Sequence, residues 1–377
     1  MKLVYLDNAA TTKMSKRVIE EMIESFEEIY GNPSSTHTLG QKAKAVVENA
    51  RHIVAKNLKV EAKEIVFTSG GAEGNNLVIK GFLKQNKDKG KHIITTKIEH
   101  STVLKTFESL EKQGYDVTYI DVTKDGIIDV EKLKKAVRKD TALVSVMFVN
   151  NETGVIQPIK EIGEFLKEKE IFFHTDAVQA IGKFEIYPKE LRIDALTVSS
   201  HKFYGPKGTG FVFIDKKYNI EKEIFGGSQE RNRRAGTENV NGILGTGVAL
   251  EEVYEKMEVI FEHEKKIQEY LEEKLKNEIG RIQKVEINGE NSRRVKNITN
   301  VFIENTDIQM LLVALDMRGI CVSGGSACMS GSLENSYVLK AMGLNDEKLK
   351  SSFRISIGKD TTIEEIDYFI ENLKEII

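Results

Sequence analysis

Two side chains point to the chemistry of this sequence. Asp176 closes the apolar run Ile171-Phe172-Phe173-His174-Thr175, and Lys202 follows the apolar run Ala195-Leu196-Thr197-Val198-Ser199 in Ser200-His201-Lys202. A lysine amine can hold pyridoxal phosphate as a Schiff base, and a carboxylate beside the pyridine nitrogen keeps that ring protonated as an electron sink. Either residue alone is more often a surface acid or a solvated lysine. Two strand ends separated by one crossover place both on the same crevice, which favours the chemical reading.

Other segments add to this pair. In Phe67-Thr68-Ser69-Gly70-Gly71-Ala72-Glu73 a strand breaks at two glycines and a helix begins, so backbone N–H groups can approach an anion at the positive helix end. Such turns also occur without ligands, and the Walker lysine is absent. Gly205-Pro206-Lys207-Gly208-Thr209-Gly210 precedes a strand rather than opening a helix, which excludes a dinucleotide loop. His100, after the second strand, could stack on a cofactor ring and shuttle protons near neutral pH; from its position alone, a helix cap is the simpler role. Cys328 sits in Val322-Ser323-Gly324-Gly325-Ser326-Ala327-Cys328-Met329-Ser330-Gly331-Ser332, small residues that would let a thiol travel to a substrate and carry sulfur as a persulfide. Cys321, between Ile320 and Val322, is expected only to pack as a small apolar residue. Arg354, in Ser352-Phe353-Arg354-Ile355-Ser356, could clamp a carboxylate by two parallel hydrogen bonds.

The elements that must position these residues follow from periodicity. Apolar runs at Glu64–Thr68, His92–Thr96, Val117–Asp121, Ala142–Val149, Ile171–Thr175, Ala195–Ser199 and Gly210–Ile214 alternate with helix-periodic segments, which predicts an α/β fold with a mostly parallel seven-stranded sheet flanked by helices. The crevice of such a sheet lies at the carboxyl ends of its strands. One long helix is expected from Ile243 to Glu278. Beyond it, strand-like pieces at Val285–Ile287, Asn300–Phe302 and Phe353–Ile357 with two helices predict a smaller α+β domain. The expected division is a large domain over 15–257 and a small one made of 1–14 plus 258–377, carrying a cysteine loop at about 322–334.

Composition bounds the function class. With 377 residues and 40% apolar content the chain can bury a large core, and 55 basic against 58 acidic residues give a net charge of −3, no field for nucleic acid or an acidic membrane. The apolar runs are strand-sized, and the N-terminal stretch carries Asp7 among its first apolar residues, so neither a membrane span nor a secretory signal is expected. Two cysteines in one segment are no disulfide framework, which makes a reducing, cytoplasmic setting the expectation.

Together with Tyr5-Leu6-Asp7-Asn8-Ala9-Ala10-Thr11-Thr12, Gly31-Asn32-Pro33-Ser34-Ser35, Val149-Asn150-Asn151-Glu152-Thr153-Gly154 and Arg234-Ala235-Gly236-Thr237-Glu238-Asn239, these motifs span nearly the whole chain. In that order they resemble the NifS/IscS-type cysteine desulfurases, within the class V aminotransferase group of fold-type I pyridoxal phosphate enzymes. The resemblance implies removal of sulfur from L-cysteine, giving L-alanine and a persulfide on Cys328 for an acceptor such as an iron-sulfur scaffold protein. It implies that Lys202 holds pyridoxal 5'-phosphate, that Asp176 pairs with its ring nitrogen, and that His100 stacks on the ring and takes part in proton transfer. Asn151 and Gln179 would contact the ring hydroxyl side, and Gly71, Ala72, Ser199 and His201 would hold the phosphate. Many relatives carry Thr or Ser in place of Ala72, so one hydroxyl contact is missing. Thr237 would reach the phosphate of a neighbouring subunit, implying a homodimer, and Asn32 and Arg354 would bind the substrate carboxylate. No resident metal is expected; Cys328 would meet iron-sulfur only transiently during transfer. A selenocysteine lyase, an aminotransferase and a non-catalytic sulfur-trafficking adaptor are the competing readings.

Overall fold

The computed structural model describes residues 2–325 and 335–377. Its strands, in chain order, are β1 (Val4–Tyr5), β2 (Ile65–Thr68), β3 (His92–Thr96), β4 (Asp116–Ile120), β5 (Thr141–Ser145), β6 (Phe172–Asp176), β7 (Ala195–Ser199), β8 (Gly210–Ile214), β9 (Val285–Ile287), β10 (Ile298–Ile303), β11 (Ile320–Cys321) and β12 (Ser352–Ser356). All seven runs expected in the large sheet form there, in the order β2-β8-β7-β6-β5-β3-β4. Strands β4, β3, β5, β6 and β7 run parallel, and β8 lies antiparallel to β7 and β2.

Strands β3, β5, β6, β7 and β8 are buried along their whole length, as in a sheet covered by helices on both faces. Alternation along β8 shows the two layers: Phe211 and Phe213 join a core with Val47, Val54 and Val248, while Val212 and Ile214 face a core with Leu77, Phe82 and Phe107. In the second layer Phe82, on the helix Gly71–Gln85, stacks on Phe172 of β6 with ring centroids 3.8 Å apart. The helix sits that close because Gly74 has no side chain; a Cβ there would lie 2.6 Å from Thr197 Cγ2 on β7.

Two expected elements differ. The run 142–149 loses β3 after Val144, since the Glu99 carboxylate takes the Met147 N–H at 2.8 Å, while the Val146 and Phe148 N–H groups still donate to the His174 and Asp176 carbonyls of β6. The long helix is two, Val240–Glu255 and Met257–Asn277, meeting at the non-helical Lys256 (φ −107°, ψ 12°). No glycine or proline marks that break, so the helical period runs through it unannounced.

A second sheet, β12-β10-β9, is antiparallel, and β1 pairs with β11 in parallel. Their core joins Val4 and Leu6 to Ile267, Leu271, Phe353 and Phe369. The short helices Tyr337–Ala341 and Asp346–Lys350, five residues each with too little periodicity to read in advance, bury Val338, Leu339 and Leu349 beside Ile98 and Met147. The N-terminal chain leaves this core alongside β12, with Ala9 N–H donating to Ser356 Oγ at 2.9 Å, and so reaches the carboxyl ends of β6 and β7 in the large sheet.

Candidate active site

Residues that follow β3, β5, β6 and β7 at their carboxyl ends line a cavity of about 260 Å³, at the place where the parallel strand order reverses. Asp176, the last residue of β6, is 5% exposed. Its Oδ1 accepts the Val178 N–H at 3.0 Å and its Oδ2 accepts Asn75 Nδ2 at 2.8 Å. Lys202 ends the single helical turn after β7, and its Nζ donates to the carbonyls of Ala9 and Ala10 at 2.7 Å each. Gln179 Nε2 donates to the same Ala9 carbonyl at 2.8 Å. The Ala9-Ala10 backbone is therefore a wall of the cavity, a role the sequence did not assign to it.

The helix Gly71–Gln85 starts at the cavity. Its N-cap, Gly70, has φ +142° and offers no side-chain acceptor, so the first-turn N–H groups of Gly71 and Ala72 keep their capacity for an anion. A Cβ on Gly71 would lie 3.1 Å from Val178 Cγ2. Ser199 and His201 line the same end. His201 Nδ1 lies 3.1 Å from Thr11 Oγ1, and burial, with Lys202 and Lys207 adding to it, pushes this imidazole down to about 4.

His100 both lines the cavity and caps the helix Ser101–Glu111, its Nδ1 accepting the Thr102 N–H at 3.3 Å. The capping and cavity roles, alternatives in the sequence, coexist. Asn151 follows β5; its Oδ1 is buried without a hydrogen-bond partner. Arg354, in β12, is 1% exposed, donating from Nη1 to the Asn151 carbonyl at 2.7 Å and from Nη2 to Asp7 Oδ1 at 2.8 Å. The expected clamp is thus partly engaged within the protein, but Nε remains buried without a partner.

Two expected site residues lie elsewhere. Asn32 is exposed, its side chain accepting the Ser34 N–H at 2.9 Å, and Thr237 is exposed on the surface; neither lines the cavity. Cys328 lies outside the described residues. Cys321 pairs with Tyr5 across β1 and β11, and burial, then Asp316 and Asp7, raise its thiol, which disfavours the reactive thiolate.

Sequence reasoning passed over Asn75, Thr102 and Asp7. Asn75 lies one helical turn after Gly71, hence on the face that starts at the cavity; that spacing was the available signal. Asp7 stands 347 residues from the arginine it holds, and no local pattern reveals it. Glu99, wholly buried behind the site, accepts from Thr96 Oγ1 at 2.7 Å and from Met147 N–H, and burial pushes it up to about 8. Among the described residues, no group of His, Cys, Asp and Glu side chains could hold a metal ion, and no helix is long and apolar enough to cross a membrane.

A confined amine, a buried carboxylate, an uncapped helix N-terminus and two unpartnered buried polar groups, Asn151 Oδ1 and Arg354 Nε, suit a ligand that carries both an anionic group and ring heteroatoms. Comparisons with known proteins agree. Residues 4–369 match the aminotransferase class-V family. The chain is 48% identical to the cysteine desulfurase IscS of Clostridium botulinum, covering all of this chain and 94% of that one. It is 47% identical to the cysteine desulfurase IscS of Methanosarcina thermophila, covering all of this chain and 92% of the relative. Among solved structures, a NifS-like protein superposes with a TM-score of 0.93 at 39% identity, over 100% of this chain and 99% of the other. SspA in complex with cysteine superposes at 0.84 with 34% identity, over 95% and 100%. The chain, matched along nearly its whole length, belongs to the aminotransferase class-V family.

Proposed function

We propose that this protein is a cysteine desulfurase, a pyridoxal phosphate-dependent enzyme that takes sulfur from L-cysteine, leaving L-alanine and a persulfide on Cys328. The observation that carries the reading is the convergence of Lys202 and Asp176 on one cavity that also holds an uncapped helix N-terminus and a buried arginine. Bound pyridoxal phosphate supplies the electron sink that lets the substrate lose its α-proton and its sulfur. Lys202 would hold it covalently through Nζ, and Asp176 would keep the proton on its ring nitrogen. Gly71, Ala72, Ser199 and His201 would hold its phosphate, and Asn151 and Gln179 its ring hydroxyl side. Arg354, through its unpartnered Nε, would take the substrate carboxylate.

The Cys328 thiolate then attacks the sulfur of the substrate. An S–S bond forms, the substrate C–S bond breaks with its electron pair staying on carbon, and protonation there gives alanine. The named relatives, two cysteine desulfurases and a protein in complex with cysteine, support this substrate. The persulfide would pass to an acceptor such as an iron-sulfur scaffold in a reducing, cytoplasmic setting. We propose further that the protein is a homodimer in which Thr237 and Asn32, both exposed here, serve sites completed by the second copy; exposed Ile23, Phe26 and Phe225 support a self-associating surface. The division into 15–257 and 1–14 plus 258–377 is part of the same proposal.

The test is to supply L-cysteine with a thiol reductant and measure alanine and sulfide together. Equal amounts from the wild type, and neither above background from Cys328→Ser, are expected. Undiminished sulfide from Cys328→Ser would overturn the role of that thiol.

A further inference from the structure

Four polar groups lining the cavity form a hydrogen-bonded chain. The Asp176 carboxylate can only accept, so the group 2.8 Å from its Oδ2 is the amide nitrogen of Asn75. The second hydrogen of that nitrogen goes to Thr102 Oγ1 at 2.9 Å. Thr102 Oγ1 therefore accepts from Asn75, and its own proton is available to His100 Nδ1, 2.9 Å away. The Thr102 backbone N–H, which can only donate, reaches the same Nδ1 at 3.3 Å. The backbone N–H therefore meets a lone pair on Nδ1, and the Thr102 hydroxyl proton can join it there as a second donor.

We propose that Asn75 and Thr102 are positioning residues that lock His100 in its Nε2–H tautomer, making it a neutral hydrogen-bond donor in the cavity and not a proton acceptor at Nδ1. A proton placed on Nδ1 would forfeit the cap of the helix Ser101–Glu111 and face two donors. The same chain makes Asn75 a physical link between Asp176 and His100, although the two lie 76 residues apart in sequence. His37 shows the same capping geometry on a different helix, with Nδ1 accepting the Gly40 N–H at 3.3 Å, and serves as an internal control outside the cavity.

This inference rests on the proposed function only for what the donor meets; the tautomer itself can be read without turnover. The experiment is a long-range ¹H–¹⁵N spectrum of the purified holoenzyme labelled at histidine, with His100 identified from His100→Gln. The proposal expects an unprotonated Nδ1 and a protonated Nε2. Thr102→Val should lower the ratio of Nε2–H to Nδ1–H roughly fivefold, the effect of losing one neutral hydrogen bond. Thr102→Ser should restore it, and Asn75→Ala should shift it in the same direction as Thr102→Val while His37 stays unchanged. A proton on Nδ1 in the wild type, or an unaltered ratio in both Thr102→Val and Asn75→Ala, would overturn it. Alanine formation in the same samples reads the proposed reaction separately: the expected tautomer without alanine sinks the desulfurase reading alone, and alanine with the wrong tautomer sinks this inference alone.

Discussion

The cavity has two walls of different origin. On one, Asp176, Ser199 and Lys202 stand at or just past the ends of neighbouring parallel strands, each placed by its own strand and the crossover before it. On the other, Arg354 comes from the small antiparallel sheet and is fixed by Asp7 and by the Asn151 carbonyl, 347 and 203 residues away. The first wall is set by local register and the second by the docking of distant segments. Changes on the first should therefore abolish the chemistry, and changes on the second should weaken substrate binding while sparing the chemistry.

The largest effect tests the first wall. Lys202→Ala is expected to lower turnover by roughly three orders of magnitude or more, because covalent attachment and the cavity's amine are lost together; stopped assays for alanine check it. On the second wall, Arg354→Lys keeps the charge but removes Nε and the planar fork. It should cost about 10- to 100-fold in kcat/KM for cysteine, the range for hydrogen bonds to a charged group. Asp7→Asn leaves the arginine in place but replaces its carboxylate partner. A rise in KM of roughly fivefold with kcat nearly unchanged is expected, the pattern of lost ground-state binding. If either Arg354→Lys or Asp7→Asn lowered kcat and left KM unaltered, the two walls would not be separable in this way.

A change in stability rather than in turnover concerns the support behind the first wall. Glu99, raised from 4.5 to about 8 by burial, holds its proton in the folded protein where the unfolded chain has released it. Its contribution to stability is complete below the unfolded value and is lost as pH rises through the folded one. Wild type should therefore lose stability relative to Glu99→Gln between pH 5 and about 8, each pKa unit being worth about 1.4 kcal/mol. Denaturant midpoints for both proteins across that window check the sign; a parallel pair of curves would contradict it.

Legibility followed the same division. All seven strands of the large sheet could be read because each is a short, largely apolar run bounded by turns, and Asp176 and Lys202 followed from the ends of β6 and β7. The limits of β5 could not, because a side chain 48 residues away, Glu99, ends its ladder. Arg354 was identified as a carboxylate clamp, yet its two internal partners were not, since Asp7 and Asn151 meet it only through tertiary docking. Asn75, just past the Gly70-Gly71 turn, stood without a role, because its significance depends on Asp176 arriving from β6 and Thr102 from the helix Ser101–Glu111. Strand pairs β1 and β11, two residues each, are too short for any period to reveal.

Lys202 is the lysine proposed to carry pyridoxal phosphate, and every role given to the cavity depends on it. Borohydride reduction of the purified protein followed by peptide mass mapping tests it most directly. A pyridoxyl group on the peptide containing Lys202, absent from Lys202→Ala, is the predicted result. A pyridoxyl group on another lysine, or none on a protein that still forms alanine from cysteine, would contradict it.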